Sequence, residues 1–93
     1  MEIVLNRNYS SFSISNFAKE KLGLDTTYPD KEEIRTDETL IDLIKKYGSA
    51  KISSGFAHLR VYDLPEDMTD YMIQEYDGLE TLYYVKDGKI HEI

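Results

Sequence analysis

Apolar residues recur along this chain with two different periods, and each period predicts one kind of element. Helical spacing is clearest in four residues at positions i, i+3, i+4 and i+7: Leu40, Leu43, Ile44 and Tyr47. Asp37 or Thr36 precedes them as a candidate N-cap. Lys45 and Lys46 complement the carbonyl end of the predicted helix, and Gly48 can end it. The pattern predicts a helix over 37–47.

A shorter helix is predicted over Asn16–Leu22. Ser15 can cap its first turn, and Gly23 can end it in the left-handed conformation. Residues 24–36 carry Thr, Asp, Pro and alternating charges without a period, so we expect a surface loop there. Residues 49–55 are mostly small and are expected to form a connector.

Alternation of apolar and polar residues predicts strands elsewhere. Residues 2–7 have apolar side chains on both faces, which is typical of a strand buried inside a sheet. Residues 56–63 alternate apolar and polar side chains and predict a half-buried strand. Two Asp-Gly dipeptides, at 77–78 and 87–88, favour two-residue hairpin turns and predict a three-stranded meander. Residues 66–76 also fit a helix through Met68, Tyr71 and Met72, so that alternative stays open.

The predicted meander contains one unfavourable pair. Its turns place Glu75 opposite Glu80, and like charges facing each other destabilise a ladder. Either a bulge separates these two residues or a cation from elsewhere lies between them, and Arg60 is the first candidate for that cation.

The order of elements predicts a single α+β domain over residues 1–93. Two helices are expected to pack on one face of a mostly antiparallel sheet that ends in a C-terminal β-meander. The exposed face of this meander, with Met72, Tyr76 and Tyr83, suits a partner protein or a homodimer. The alternative is a set of scattered surface aromatics, which are common.

Composition excludes several kinds of chemistry. The chain has no cysteine, which excludes disulfides, thiolate metal sites and a cysteine nucleophile. None of the common phosphate-loop, dinucleotide-binding, zinc-protease or serine-hydrolase motifs is present, and His58 and His91 lack metal-type spacing. We therefore assign no catalytic residue, metal or cofactor. An enzyme ranks third, after the two binding hypotheses given below. Short apolar runs favour a cytoplasmic protein that does not span a membrane.

Charge is distributed unevenly along the chain. Lys and Arg number 11 against 18 Asp and Glu; residues 1–62 hold nine of each, so residues 63–93 hold two against nine. Such a negative field repels nucleic acid and anionic lipid. It is either a solvated surface or a docking surface for a basic region of another protein, with four candidate contact residues: Asp63, Glu66, Asp67 and Asp70.

The segment between the first strand and the first helix supports a second hypothesis. It concentrates hydrogen-bond donors and a guanidinium ahead of a helix N-terminus, where an anion is favoured. A phosphorylated or otherwise anionic small molecule would contact Asn6, Arg7, Tyr9 and Ser11, joined by Arg35 if the two loops meet. The alternative is structural: Arg7 pairs with an acidic residue of the C-terminal third, and the aromatic residues fill the core.

Four segments resemble a group of small uncharacterised phage and prophage proteins: IVLNRNYSSFSIS, RTDETLIDLIKKYG, FAHLRVYDLPEDM and IQEYDG. The resemblance extends from Ile3 to about Tyr84. It implies no established activity. The preferred hypothesis is a non-enzymatic protein of phage or prophage origin that binds a host or phage protein, in the host cytoplasm, through its acidic C-terminal third. The pattern of the group has a cysteine at the position of Asn8 and two glycines at Ser10 and Ser11. Without those glycines, close approach of this backbone to a phosphate is less favourable.

Overall fold

A computed structural model describes residues 1–93. The first 58 residues contribute one strand, β1 (Glu2–Asn6), and four helices, α1 (Asn16–Leu22), α2 (Lys31–Ile34), α3 (Glu38–Tyr47) and α4 (Ser49–Ile52). Four strands follow: β2 (Leu59–Asp63), β3 (Asp70–Tyr76), β4 (Leu79–Lys86) and β5 (Lys89–Glu92). β1 pairs with β2, and β3, β4 and β5 form a separate meander; every pairing is antiparallel. The predicted α+β class with a C-terminal meander is confirmed.

Both predicted helices are present with the predicted caps. The Asp37 side chain accepts a hydrogen bond from the N–H of Leu40 at 2.9 Å, and α3 ends at Gly48. The Ser15 hydroxyl accepts from the N–H of Ala18 at 3.1 Å, and Gly23 ends α1 with a left-handed φ of 70°. Local side-chain chemistry is therefore sufficient to place these helix ends.

Two expectations about irregular segments are wrong. The expected loop over 24–36 contains α2, whose first turn is capped by Asp30 through a 3.0 Å bond from the N–H of Glu32. The expected connector over 49–55 contains α4. Each helix has four residues, too few to display a helical period. None of the four helices has the length and apolar character needed to span a membrane.

The strand predictions hold with shifted ends, and β1 ends at Asn6 rather than at residue 7. β2 begins at Leu59 rather than Phe56, whose side chain is 79% exposed. Residues 70–76 form a strand rather than a helix, and its register across β4 is as expected from the turn. Asp77 and Asp87 both have positive φ values, 49° and 53°, as a type I′ hairpin turn requires.

The β1 strand separates two apolar clusters. Val4 belongs to the larger cluster, which contains buried residues from all four helices. Ile3 and Leu5 face the opposite way and pack with Leu64 and Leu82 in the smaller one. β1 is thus buried on both faces as predicted, but it does not lie inside a wider sheet. Helices cover one face and the meander covers the other, while only one edge pairs with a strand.

Candidate functional site

The edge of β1 that lacks a strand partner is closed by Arg35 and Glu80. The N–H of Val4 donates to the Arg35 carbonyl at 2.9 Å, and the Val4 carbonyl accepts from Arg35 Nη1 at 3.0 Å. The N–H of Asn6 donates to Glu80 Oε1 at 2.7 Å. Buried backbone groups need partners, so these two residues supply the bonds that a further strand would otherwise make.

Arg35 and Glu80 form a bidentate buried ion pair. Arg35 Nη1 lies 2.8 Å from Glu80 Oε1, and Nη2 lies 2.6 Å from Oε2. Their side chains are only 3% and 1% exposed. Burial alone would raise the pKa of Glu80, but the hydrogen bonds from Arg35 and from the Asn6 N–H, together with nearby positive charge, hold it below its ordinary value. The carboxylate is therefore ionised while buried.

Lys31 completes the neutralisation of the unfavourable glutamate pair. Glu75 and Glu80 do lie opposite each other in the ladder. Lys31 Nζ contacts the Glu75 carboxylate and lies 3.5 Å from Glu80 Oε2. The expectation that Arg60 supplies the cation is wrong, because its guanidinium lies over the Tyr62 ring at 5.7 Å. The cations come instead from α2 and the residue that follows it.

Asn6 joins three segments through its side chain. Its Nδ2 donates to the carbonyls of Asn8, Ser10 and Gly78 at 3.2, 2.5 and 3.0 Å. Its Oδ1 accepts from the N–H of His58 at 2.9 Å. A Cβ atom at Gly78 would overlap the backbone of Ser10, so this hairpin turn and the loop after β1 are in direct backbone contact. We call the cluster around this contact the polar junction: Asn6, Arg7, Lys31, Arg35, Glu75 and Glu80.

Three of the five residues predicted to bind an anion converge on Glu80. Asn6 and Arg35 bind its carboxylate, and Arg7 Nη1 donates to its backbone carbonyl. Tyr9 and Ser11 are not in this cluster: both are exposed, and Tyr9 packs edge-to-face on Tyr76, with ring centroids 6.5 Å apart. Arg35 thus has an intramolecular carboxylate as its partner. Binding of a separate anion at this loop stays a prediction.

A shallow cleft of about 410 Å³ lies beside the same loop. Its charged residues are two carboxylates, Glu75 and Asp77, and one ammonium, Lys31. That ammonium is already paired with Glu75. The charge balance of the cleft therefore does not favour an anion. No cluster of three or more His, Asp or Glu residues is arranged to hold a metal ion.

The four predicted partner-binding carboxylates lie at the end of β2, at the start of β3 and between them. All four are exposed. Asp63 forms one ion pair, with the N-terminal ammonium at 3.5 Å, and Asp67 forms one, with Lys86 at 3.5 Å. Glu66 and Asp70 form no ion pair. We call residues 63–70 the acidic loop; no Lys or Arg of residues 1–62 forms an ion pair with its carboxylates.

The meander turns one face away from the smaller apolar cluster. Side chains alternate along a strand, so this outer face carries Met72, Tyr76, Tyr83, Val85 and Ile90. Ile90 is 75% exposed, Tyr76 73% and Met72 56%. Contiguous exposed apolar side chains of this kind mark interaction surfaces more often than scattered ones do. The predicted exposed residues share this face: Met72 and Tyr83 adjoin Val85 and Ile90, whereas the Gln74–Thr81 pair separates them from Tyr76.

No family model, curated protein or solved structure matches the chain. Function is therefore argued from the acidic loop, the outer face and the polar junction.

Sequence reasoning missed the central role of Glu80. The only signal in the sequence was the like-charged pair with Glu75, which required a nearby cation. Lys31 and Arg35 lie 49 and 45 residues earlier in the chain than Glu80, within or just after an element that was expected to be a loop. Only the fold brings these residues together.

Proposed function

We propose that this protein is a non-enzymatic binding module whose acidic loop docks on a basic surface of a host or phage protein in the host cytoplasm. The observation that carries the proposal is the exposure of four carboxylates, of which Glu66 and Asp70 have no ion pair, Asp63 has only the N-terminal ammonium at 3.5 Å and Asp67 has only Lys86 at 3.5 Å. Uncompensated surface carboxylates accelerate encounter with a cationic partner and favour it over an anionic one.

The contrast with the polar junction supports this assignment. There, Lys31 and Arg35 neutralise Glu75 and Glu80 within the chain. The same chain leaves Glu66 and Asp70 unpaired, so their charge is available to another molecule. The sequence resemblance to phage and prophage proteins supports a host or phage protein as the partner.

The test is charge reversal in the acidic loop. A triple variant with Glu66→Lys, Asp67→Lys and Asp70→Lys is compared with the natural chain as bait in a bacterial lysate. The captured protein is then identified, purified and titrated against both baits. We expect the reversed variant to bind at least about tenfold more weakly, because like charges then face each other. Binding to the natural chain is expected to weaken as salt rises.

A second triple variant provides a matched control. Glu20→Lys, Asp25→Lys and Glu33→Lys change the net charge by the same amount at exposed positions on other segments. This control is expected to bind far better than the loop variant, and neither variant should change stability by more than about 0.5 kcal/mol per site. An equal loss of affinity in both variants would mean that binding depends only on the overall net charge and not on the acidic loop. No loss of affinity in the loop variant would refute the proposal.

A further inference from the structure

The outer face of the meander contains a small apolar cavity of about 130 Å³. Its walls come from all three strands, since Met72 of β3 lies opposite Tyr83 of β4, and Val85 of β4 lies opposite Ile90 of β5. Ligand pockets for small molecules usually measure about 300–1,000 Å³. This cavity is too small for such a ligand, and its size suits one aliphatic side chain.

One carboxylate lies at the edge of this cavity. Asp70 lines it, opposite Val85 in the ladder, and no Lys or Arg does. Asp70 accepts a hydrogen bond from the N–H of Tyr71 at 2.8 Å and retains acceptor capacity for a cation. Asp70 also ends the acidic loop, so the apolar cavity and the uncompensated charge form one continuous surface.

We infer that this surface receives an aliphatic side chain of the partner, inserted between Met72, Tyr83, Val85 and Ile90, with an adjacent lysine or arginine on Asp70. This inference rests on the proposed function and names the recognised feature as an apolar residue flanked by basic ones. The apolar anchor supplies desolvation energy that exposed charges alone do not supply.

Charge argues against a second copy of the chain as the occupant. The chain has a net charge of −7, and residues 63–93 hold the whole excess. Two outer faces packed together would bring two acidic loops toward each other, which costs energy. A basic segment of another protein has the complementary charge.

Two synthetic pentapeptides test the inference directly. Each has two lysines on either side of a central residue, which is leucine in one peptide and serine in the other. Titration of the full ¹⁵N-labelled chain, followed by NMR chemical shifts, measures both affinities. The leucine peptide is expected to bind at least about fivefold more tightly, because only its central side chain fills the cavity. Its largest shifts should fall around Met72, Val85 and Ile90.

Variants separate the apolar anchor from the charge. Ile90→Ser should remove the preference for leucine and leave the affinity of the serine peptide unchanged. Tyr76→Ser is the matched control, because Tyr76 is equally exposed on the same face but does not line the cavity; this variant should retain the preference. Both side chains point to solvent, so both variants are expected to fold.

The outcomes distinguish the two proposals. Equal binding of both peptides, with loss in the acidic-loop variant, would overturn the inference and leave the proposed function standing. Binding of neither peptide, or binding that ignores the loop reversal, would count against both. If the natural chain self-associates and Ile90→Ser abolishes this self-association, the outer face binds a second copy of the chain and the inference is overturned.

Discussion

The polar junction and the acidic loop use the same carboxylate chemistry for opposite purposes. In the junction, Glu80 is 1% exposed, is ionised, and is bound by Arg35 and the N–H of Asn6. In the acidic loop, Glu66 and Asp70 are exposed and form no ion pair. Buried charge must be compensated within the chain, whereas exposed charge can remain available to other molecules. The comparison teaches that local charge density does not reveal function until burial is known.

The junction also performs a backbone role that a surface ion pair cannot perform. Arg35 and Glu80 bind the Val4 carbonyl and the Asn6 N–H at the open edge of β1. Removing either side chain leaves a buried backbone group without its partner. The junction therefore joins the β1–β2 sheet to α2 and to the meander, whereas Glu66 and Asp70 of the acidic loop form no ion pair with any other segment.

The largest expected effect is at Glu80. Glu80→Gln removes the charge that compensates buried Arg35, and the expected loss in the free energy of unfolding is about 3–5 kcal/mol. Urea denaturation followed by circular dichroism measures it. Glu75→Gln is the control, because Glu75 is 45% exposed and its pair with Lys31 is expected to contribute at most about 1 kcal/mol. Similar losses in the two variants would contradict the distinction between buried and exposed carboxylates.

A smaller effect distinguishes the two hairpin turns. Gly78 and Gly88 both have positive φ, 89° and 71°, but only Gly78 touches the backbone of Ser10. Gly88→Ala is expected to cost about 1–2 kcal/mol for its left-handed conformation. Gly78→Ala is expected to cost about 1–3 kcal/mol more, because its methyl group overlaps the loop after β1.

Thermal and urea unfolding of the two alanine variants provide this measurement. Equal costs would mean that the turn at 77–78 is not held against the loop, and the polar junction would lose one of its contacts. The same Asp-Gly dipeptide thus serves as a plain turn at one site and as a packing element at the other.

The third prediction concerns acid. The pKa of Glu80 is lowered in the folded chain from its ordinary value of 4.5, so the stability it contributes is present above about pH 4.5 and is lost as pH falls through the folded value. Below pH 4.5, the unfolded chain binds a proton that the folded chain does not, and acid favours unfolding. For one proton, the change is at most about 1.4 kcal/mol per pH unit.

Unfolding measured from pH 7 to pH 3 tests this linkage. The stability gap between the natural chain and Glu80→Gln should stay constant down to about pH 5.5 and narrow below about pH 4.5. Glu66→Gln in the acidic loop is the control and should track the natural chain. A gap that does not change with pH would show that the Glu80 carboxylate has the same pKa folded and unfolded.

Elements with strong local signals were predictable from sequence. Asp37 and Gly48 cap the two ends of α3, and the two Asp-Gly turns set the register of β3, β4 and β5. Both signals were readable because capping and positive φ act within a few residues. The α2 helix was missed because one turn has no period. Its signal was the cap at Asp30 followed by Glu32 and Glu33 in the first turn.

The candidate site was predictable only in its exposed part. The acidic loop follows from the composition of residues 63–70, which hold four carboxylates and no Lys or Arg; the fold adds only Lys86 beside Asp67 and the N-terminal ammonium beside Asp63. The outer face follows from strand alternation. The cavity between Met72, Val85 and Ile90 requires three strands in register. The two Asp-Gly turns made that register predictable, but they did not show where on the sheet a cavity would form.

By itself, the sequence determined the α+β class, the ends of α1 and α3, the two Asp-Gly turns and the uneven charge. Only the tertiary structure decided which charged side chains are buried and which partner each of them has. Asn6, Arg7 and Arg35 were predicted to face an anion, and they face Glu80 of the same chain. The physical reason is range: caps and turns act between neighbours, whereas burial and ion pairing depend on residues far apart in sequence that folding brings within about 3 Å.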